Sequence, residues 1–508
     1  MDRSGEGGTL VIGMSAGNVP FPNTPPNEGA EGRRFVGNMI YDSLTKLNED
    51  QGDEVPTPQP WLAKSWEVSE DQRTWTFQLE EGVMFHDGTP FNAEAVVFAF
   101  DRTTNQDFEY FDSALYGASR QFTQAIESYR AVDEYTLEIT TFEPFSFLPW
   151  SLAFTLLPSP TAVMEYGNEE YVNHASGTGP FKMVRYVDGE VIEFEANEDY
   201  WRGRPKLDRI VAVPMPEPSS RVAALLSGDI DWAEVPPPDS LPQLEGQGYN
   251  VLLREYPHSI ILGLNTYREP FDDIRVRQAL QYAIDRDSMC NILLNGVCTP
   301  AHQFLYEGHP WYDPEFGDRY RFDPEKAREL LAEAGYEDNL TIRIAYPTGG
   351  SGNMYPGPMM ELMQANFREI GVTMEIFPLE WNSIITLYRT GFGAPENDQY
   401  DGFYFSPNTQ TPLFVTNFDT MRTPPNGCCN SYGYSSEVVD DLFQRAALEF
   451  EPDAQNALLQ EAMGQVAEDS PVIFVVHDLN LRVLDPDVRG FIQPKSWTAD
   501  FLNVWVRE

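Results

Sequence analysis

A layered α/β fold spread over more than one domain is what this sequence predicts, and three observations predict it. Arg209–Val213 alternates like a strand, with branched apolar residues at Ile210, Val211 and Val213, until Pro214, Pro216 and Pro218 remove the amide donors a ladder needs. Val222, Ala223, Leu225 and Leu226 then recur at helical spacing before a second apolar run at Ile230–Ala233, so strand, helix and strand make a compact βαβ unit. The same alternation returns between residues 323 and 377, and at 508 residues the chain is too long for a single hydrophobic core.

In the first βαβ unit, Ser219 or Ser220 is expected to cap the helix and Gly228 to end it in the left-handed conformation. Ahead of it, Gly8–Gly13 reads as a first strand, residues 15–31 as a Pro- and Gly-rich loop, and Arg34–Leu47 as a helix carried by Val36, Met39, Ile40 and Leu44. Thr74–Leu79 alternates as a strand, Asp87-Gly88 signals a turn, and Asn92 caps a helix bearing Val96, Val97 and Phe100. Strands at Tyr135–Thr140 and Val191–Ala196 follow. Asp272 and Asp273 open a helix whose apolar face runs from Val276 to Ile284, and Asp323 with Pro324 opens another that Gly335 closes. Strands at Thr341–Tyr346 and Val372–Phe377 flank a helix at Met359–Ile370. Tyr400–Phe405, Val472–Val476 and Val504–Val506 are strands, and Glu437–Phe450 and Asp453–Ala467 are helices.

Composition narrows the function. With 79 acidic against 34 basic residues the formal charge is −45, a field that repels nucleic acid and anionic lipid headgroups. No run of about eighteen apolar residues offers a membrane-spanning helix. Because the first strand begins so near Met1, a mature form with its leader removed and a Met added is expected. Cys290 and Cys298 lie close enough across a helix end for a turn to close them, and a disulfide between them is expected; for the adjacent Cys428 and Cys429 no pairing is assigned. Neither pair has metal-ligand spacing, and no zinc site or other metal site is expected. A Gly-x-Ser-x-Gly elbow, a His-Glu-x-x-His helix and a phosphate-cradling loop are all missing, so no catalytic residues and no cofactor are assigned. His86 beside Asp87 is a turn rather than a dyad.

Several stretches together resemble one family. Tyr200-Trp201, then Gly203-Arg204-Pro205-Lys206-Leu207-Asp208, then Ala224-Leu225-Leu226-Ser227-Gly228-Asp229-Ile230-Asp231 is similar to the peptide/nickel family of extracytoplasmic solute-binding proteins, family 5. Trp75-Thr76-Phe77-Gln78-Leu79 followed by Phe85-His86-Asp87-Gly88-Thr89-Pro90-Phe91-Asn92-Ala93-Glu94, and the glycine-rich 176–182, carry the same resemblance, which runs nearly end to end. It implies a periplasmic-binding-protein-like architecture, two α/β lobes joined by a hinge with a small extra domain inserted in the first. The expected boundaries are 1–45, 168–262 and 475–508 for a discontinuous first lobe, 46–167 for the inserted domain and 263–474 for the second lobe. The implied function is that of a substrate-binding protein, a monomer that captures a small solute by lobe closure and delivers it to the membrane permease of an ABC importer, from the periplasm or the cell exterior, with a removed lipoprotein leader as a possible anchor. A hydrolase on a similar scaffold, such as a glycosidase, is the alternative.

The resemblance also suggests a site. In dipeptide-binding relatives an aspartate four residues before a proline meets the ligand's ammonium; matched on Pro412, that position here is Asn408. The arginine that holds the ligand's carboxylate falls on or near Gly350. With both charged anchors replaced, a free dipeptide is disfavoured and a sugar, a longer peptide held by its backbone, or a metal chelate is expected. The candidate lining residues are Tyr256, His258, Trp381, Tyr404, Phe405, Asn408 and Gly350, with Arg120 a candidate for an anionic cargo.

Overall fold

Three strands whose amide and carbonyl groups must pair without water set up the first of two units. In the computed structural model, which describes residues 7–49, 55–337, 340–425 and 427–507, Thr9–Met14 lies parallel to Arg209–Pro214 on one side and to Trp232–Glu234 on the other. The βαβ unit predicted from residues 209–233 is therefore present, with the first strand threaded between its two strands. Antiparallel neighbours extend the sheet to seven strands in the order 250–252, 482–484, 232–234, 9–14, 209–214, 191–196 and 181–187. Leu10, Ile12, Ile210, Ala212, Phe194 and Trp232 are fully buried in its core with Phe35, Val36 and Phe501.

Helix Pro218–Ser227 is capped by Glu217, whose carboxylate accepts the Ser219 amide, rather than by Ser219 or Ser220. The reason is Pro218: with its fixed φ and missing N–H it belongs at the first helical position, which places the cap at Glu217, immediately ahead of it. Gly228 closes the helix in the left-handed region as expected. The helix expected over Arg34–Leu47 starts earlier and stops sooner. Gly29–Gly32, a π-helical turn at Arg33–Gly37 and Asn38–Ile40 form it, Tyr41 is extended, and Thr45–Leu47 pairs instead with Pro58–Pro60. Its apolar spacing served burial of Val36, Met39, Ile40 and Leu44 in two different conformations.

The first unit also carries a separate four-stranded antiparallel sheet, in the order 63–68, 74–79, 136–141 and 126–133. Helices Ala93–Thr104 and Ser113–Thr123 accompany it, capped by Asn92 and Asp112. His86 and Asp87 belong to the turn that joins this sheet to the rest of the unit. The His86 ring contacts the Gly179 carbonyl at 2.9 Å, the Asp87 carboxylate accepts from Thr89 and Ser159, and the Asp87 amide donates to the Ser176 hydroxyl at 3.2 Å. Burial holds the His86 pKa down at about 4.

The second unit is built on a six-stranded sheet in the order 298–300, 472–478, 259–264, 402–405, 340–347 and 372–379. The last three strands are mutually parallel and the others antiparallel. Helix Pro324–Glu333 is capped by Asp323 as the sequence predicts, and helix Ile274–Tyr282, opened by the acidic pair Asp272 and Asp273, is capped by Asp273 and ends at Tyr282 rather than running to Ile284. Cys290 and Cys298 form the expected disulfide, with Cα atoms 5.3 Å apart, and Cys428 is bonded to Cys429.

The division between the units differs from the expected one. The second unit takes Leu253–Leu481 with Pro237–Asp239, and the first takes the rest. Strand pairing explains the difference. Ser259–Leu264 is hydrogen-bonded on both sides within the second sheet, so it cannot be shared with the first lobe. Arg482–Leu484 pairs with Trp232–Glu234 and Asn250–Leu252, so the return to the first sheet comes at residue 482.

Candidate functional site

In open α/β sheets the carboxyl ends of parallel strands leave backbone and loops free to meet a ligand, and in the second unit three such ends deliver most of the predicted residues. Strand Leu340–Pro347 runs out into the 348–353 loop, strand Val372–Leu379 into Glu380 and Trp381, and strand Gly402–Phe405 into the 406–412 loop. Ser259–Leu264 is antiparallel to Gly402–Phe405, so Tyr256 and His258, which precede it, arrive at the same edge. A backbone bridge between His258 and Asn408 and a Thr409 amide donated to the Pro257 carbonyl at 2.8 Å tie the two segments together.

The glycines of the 348–353 loop are explained by what they touch. Gly350 has φ +103°, and a Cβ there would lie 2.7 Å from Trp381 Cγ; a Cβ at Gly352 would enter the His258 ring. Only glycine lets this backbone lie against both side chains. Asn353 anchors the loop from below, its carbonyl accepting the Tyr404 hydroxyl at 3.4 Å and its Oδ1 the Ser406 hydroxyl at 3.4 Å. Trp381, Phe405 and Tyr388 form a stack, with ring centroids 5.8 Å and 4.2 Å apart in succession and interplanar angles of 20°. Tyr256 packs edge-on against His258 at 4.4 Å.

Seven predicted residues, Tyr256, His258, Gly350, Trp381, Tyr404, Phe405 and Asn408, therefore meet in one cluster. Tyr404 is fully buried and its hydroxyl is used internally, so its part in the cluster is to hold the 348–353 loop. Arg120 is not among them. It lies in the first unit on helix Ser113–Thr123, in a groove lined also by Phe100, Thr104, Tyr116 and Tyr129.

The polar inventory of the cluster is unusual. Asn408 Oδ1 accepts the Gln410 amide at 2.5 Å, which fixes the side chain so that Nδ2 is the free end. That Nδ2, Trp381 Nε1 and Thr411 Oγ1 are all buried without a hydrogen-bond partner. Leaving such groups unmade costs about 1–3 kcal/mol each. The sequence reading missed Tyr388, Thr411 and Asp478. Asp478 ends strand Val472–Asp478 beside the cluster, its amide donated to the His258 carbonyl at 3.2 Å and its own carbonyl accepting from Tyr256 at 3.0 Å. Tyr388 and Thr411 could have been found by extending the strand-end rule two helical turns past Trp381 and three residues past Asn408.

The first unit presents a second buried polar group at the carboxyl ends of its own parallel strands. Glu234, at the end of Trp232–Glu234, pairs with Arg34 at 2.8 Å and Arg482 at 2.6 Å, and accepts the Trp232 indole N–H. Burial pushes the Glu234 carboxyl up, but the two guanidinium groups more than offset it, leaving the pKa below the usual value. Arg221 donates to the carbonyls of Glu234, Met215 and Val235. Glu31 accepts the Ser15 and Ala16 amides at 3.0 and 2.6 Å, and burial, helped by repulsion from Glu234, raises its pKa to about 7. None of these residues was singled out from sequence, where abundant charge hides which few charges are buried.

Two α/β units, each with polar and aromatic side chains gathered at the carboxyl ends of parallel strands, are the frame in which comparison with known proteins gives the class. Over 99% of both chains the fold superposes, with a TM-score of 0.87 at 24% identity, on the ABC transporter-associated periplasmic binding protein DppA from Helicobacter pylori in complex with peptide STSA. Residues 57–428 match the family model of bacterial extracellular solute-binding proteins, family 5, and the chain belongs to that family. Among curated relatives it is 29% identical to heme-binding protein A of Haemophilus influenzae, covering 92% of this chain and 87% of that one. It is 27% identical to the dipeptide-binding protein of Escherichia coli, covering 98% and 96%. The chain is thus an extracytoplasmic solute-binding protein of an ABC importer, and the hydrolase alternative finds no support.

Proposed function

We propose that the second-unit cluster around Trp381 and Asn408 is the cargo-contacting face, and that the cargo presents hydrogen-bond acceptors to it. The observation that carries this reading is the set of buried, unpartnered polar groups, Trp381 Nε1, Asn408 Nδ2 and Thr411 Oγ1. An indole N–H and an amide NH2 can only donate. A ligand carbonyl, hydroxyl or carboxylate placed there removes their desolvation cost, and the aromatic stack supplies apolar contact beside it. The ammonium of a free dipeptide, itself a donor, gains nothing at Asn408, where the dipeptide-binding relatives offer a carboxylate. The cargo class is therefore a neutral or internally charge-balanced polar solute, such as a longer peptide held by its backbone, a sugar or a metal chelate, and free dipeptides are disfavoured. Asp478 is the group that would serve a cationic part of such a cargo. The protein binds without turning its cargo over, works as a monomer and closes on the solute, with anchoring through a lipoprotein leader as part of the same reading.

Thermal-shift screening across dipeptides, longer peptides, oligosaccharides and metal chelates tests the cargo class. A ligand at a hundred times its Kd stabilises the fold by about 2.7 kcal/mol, enough to shift the melting temperature measurably. If simple dipeptides give the largest shift, the donor reading of Asn408 is wrong. Scattering with the best ligand should show a smaller radius of gyration and a monomeric mass, and the ligand should be recovered intact by mass spectrometry.

A further inference from the structure

We propose that the Cys428–Cys429 disulfide is a redox-sensitive clasp whose state sets the packing of the Trp381–Phe405–Tyr388 ring stack. The two cysteines sit in the segment that holds Tyr388 at both ends. The Cys429 amide donates to Asn417 Oδ1 at 3.3 Å, and Asn417 Nδ2 in turn donates to the Tyr388 hydroxyl at 2.8 Å. From the other side, the Cys429 carbonyl accepts the Ser431 amide at 2.8 Å, while the Ser431 hydroxyl donates to the Tyr388 carbonyl. Tyr388 lies directly against Phe405, and Phe405 against Trp381. The disulfide is thus two hydrogen bonds from the stack by one route and two by another.

Access distinguishes this disulfide from the other one. Cys428 is half-buried, whereas Cys290 and Cys298 are both buried. Of two disulfides the less buried one is reduced more readily, because exchange needs a thiolate to reach a sulfur atom. A dithiol reductant attacks one sulfur, forms a mixed disulfide and then closes on itself. Two electrons and two protons pass to the protein, giving two cysteine thiols and one oxidised dithiol. Cys429 is buried, so the added S–H and the lost covalent restraint must be accommodated by moving the 428–431 backbone. That backbone carries Ser431 and orients Asn417, so Tyr388 loses the contacts that fix it.

That the stack faces cargo depends on the reading proposed above, but the clasp itself is tested without cargo. The protein is titrated with dithiothreitol, thiols are trapped by alkylation and located by mass spectrometry, and hydrogen exchange is followed over 381–390 and 402–405. Cys428 and Cys429 should open together at a lower reductant concentration than Cys290 and Cys298. Protection over 381–390 and 402–405 should be lost at that point and regained on reoxidation. A C428S/C429S variant should show the unprotected pattern at every reductant concentration. The proposal is overturned if Cys428 alkylates fully without reductant, if the buried pair opens first, or if exchange over the ring-stack segments is the same in both states. A cargo screen that fails while exchange responds would count against the site and leave the clasp standing.

Discussion

Asn408 shows how much one side chain can decide and how far sequence alone reaches. A gap-free match to Pro412 singles it out in the sequence, but the sequence does not orient its amide, because only the bond from Gln410 to Oδ1 shows that Nδ2 is the end left over. N408D keeps the shape and the Gln410 bond while exchanging two donors for a second acceptor oxygen. It should bind a zwitterionic dipeptide at least about tenfold more tightly than the parent protein, a change of about 1.4 kcal/mol, as read by calorimetry. Equal or weaker binding would mean that Asn408 does not meet the cargo. Glu31 is a residue that no sequence pattern marked, since one buried carboxyl among 79 acidic residues looks like the rest. Its pKa is raised from 4.5 to about 7 in the fold, mainly by burial. The native state therefore holds the proton more tightly than the unfolded chain, and this contribution to stability is present below about pH 4.5 and is lost as pH rises through about 7. Thermal unfolding of the parent and of E31Q between those limits should show the parent's melting temperature falling relative to the variant's as pH increases. A constant difference would place the Glu31 pKa in the ordinary carboxyl range.

Elements with strong local signals were read well, and those decided by tertiary pairing were not. Helices opened by Asp273, Asp323 and Asn92 start where the sequence places them, because the cap side chain satisfies an amide within its own turn. Thr45–Leu47 went astray because its partner, Pro58–Pro60, lies beyond the reach of any periodicity, and the same holds for the fate of Ser259–Leu264 in the second sheet. Among the cysteines, spacing sufficed for Cys290 and Cys298, which close a short loop between the π-helical turn Met289–Leu293 and strand Cys298–Pro300. In the chain-entropy picture that loop closure is worth roughly 2–3 kcal/mol. C290S/C298S should therefore unfold at lower denaturant concentration by that amount with an unchanged slope. A loss below about 0.5 kcal/mol would show that the reduced chain keeps the loop ordered on its own.

At the scale of the whole molecule the charge of −45 belongs to the surface, because the buried arginines are matched by buried carboxylates such as Glu31, Asp42, Glu49 and Glu234. Arg33, Arg34, Arg102, Arg221, Arg286 and Arg482 are all buried, and several spend their donors on carbonyls rather than on carboxylates. Arg33 meets the Ala153 and Phe154 carbonyls, and Arg286 those of Gln281, Tyr320 and Phe474. Burial lowers the pKa of both to about 9. With 79 acidic against 34 basic residues the exterior carries its carboxylates with few basic partners, and several of the ion pairs that do form there are exposed, as at Lys64–Glu81 and Arg445–Asp441. Exposed pairs contribute about 0–1 kcal/mol each, and salt weakens them. Repulsion among the unpaired carboxylates acts over longer distances, and it too is screened once the Debye length falls from about 30 Å at 0.01 M to about 3 Å at 1 M salt. Because carboxylates outnumber cations by more than two to one in the chain, screening removes more repulsion than attraction. The melting temperature should therefore rise as sodium chloride increases from 0.01 to 1 M. Potassium chloride should act in the same way, since the effect depends on ionic strength rather than on a bound cation. A melting temperature that falls over this range would show that the surface ion pairs, and not the unpaired carboxylates, dominate the electrostatics of the fold.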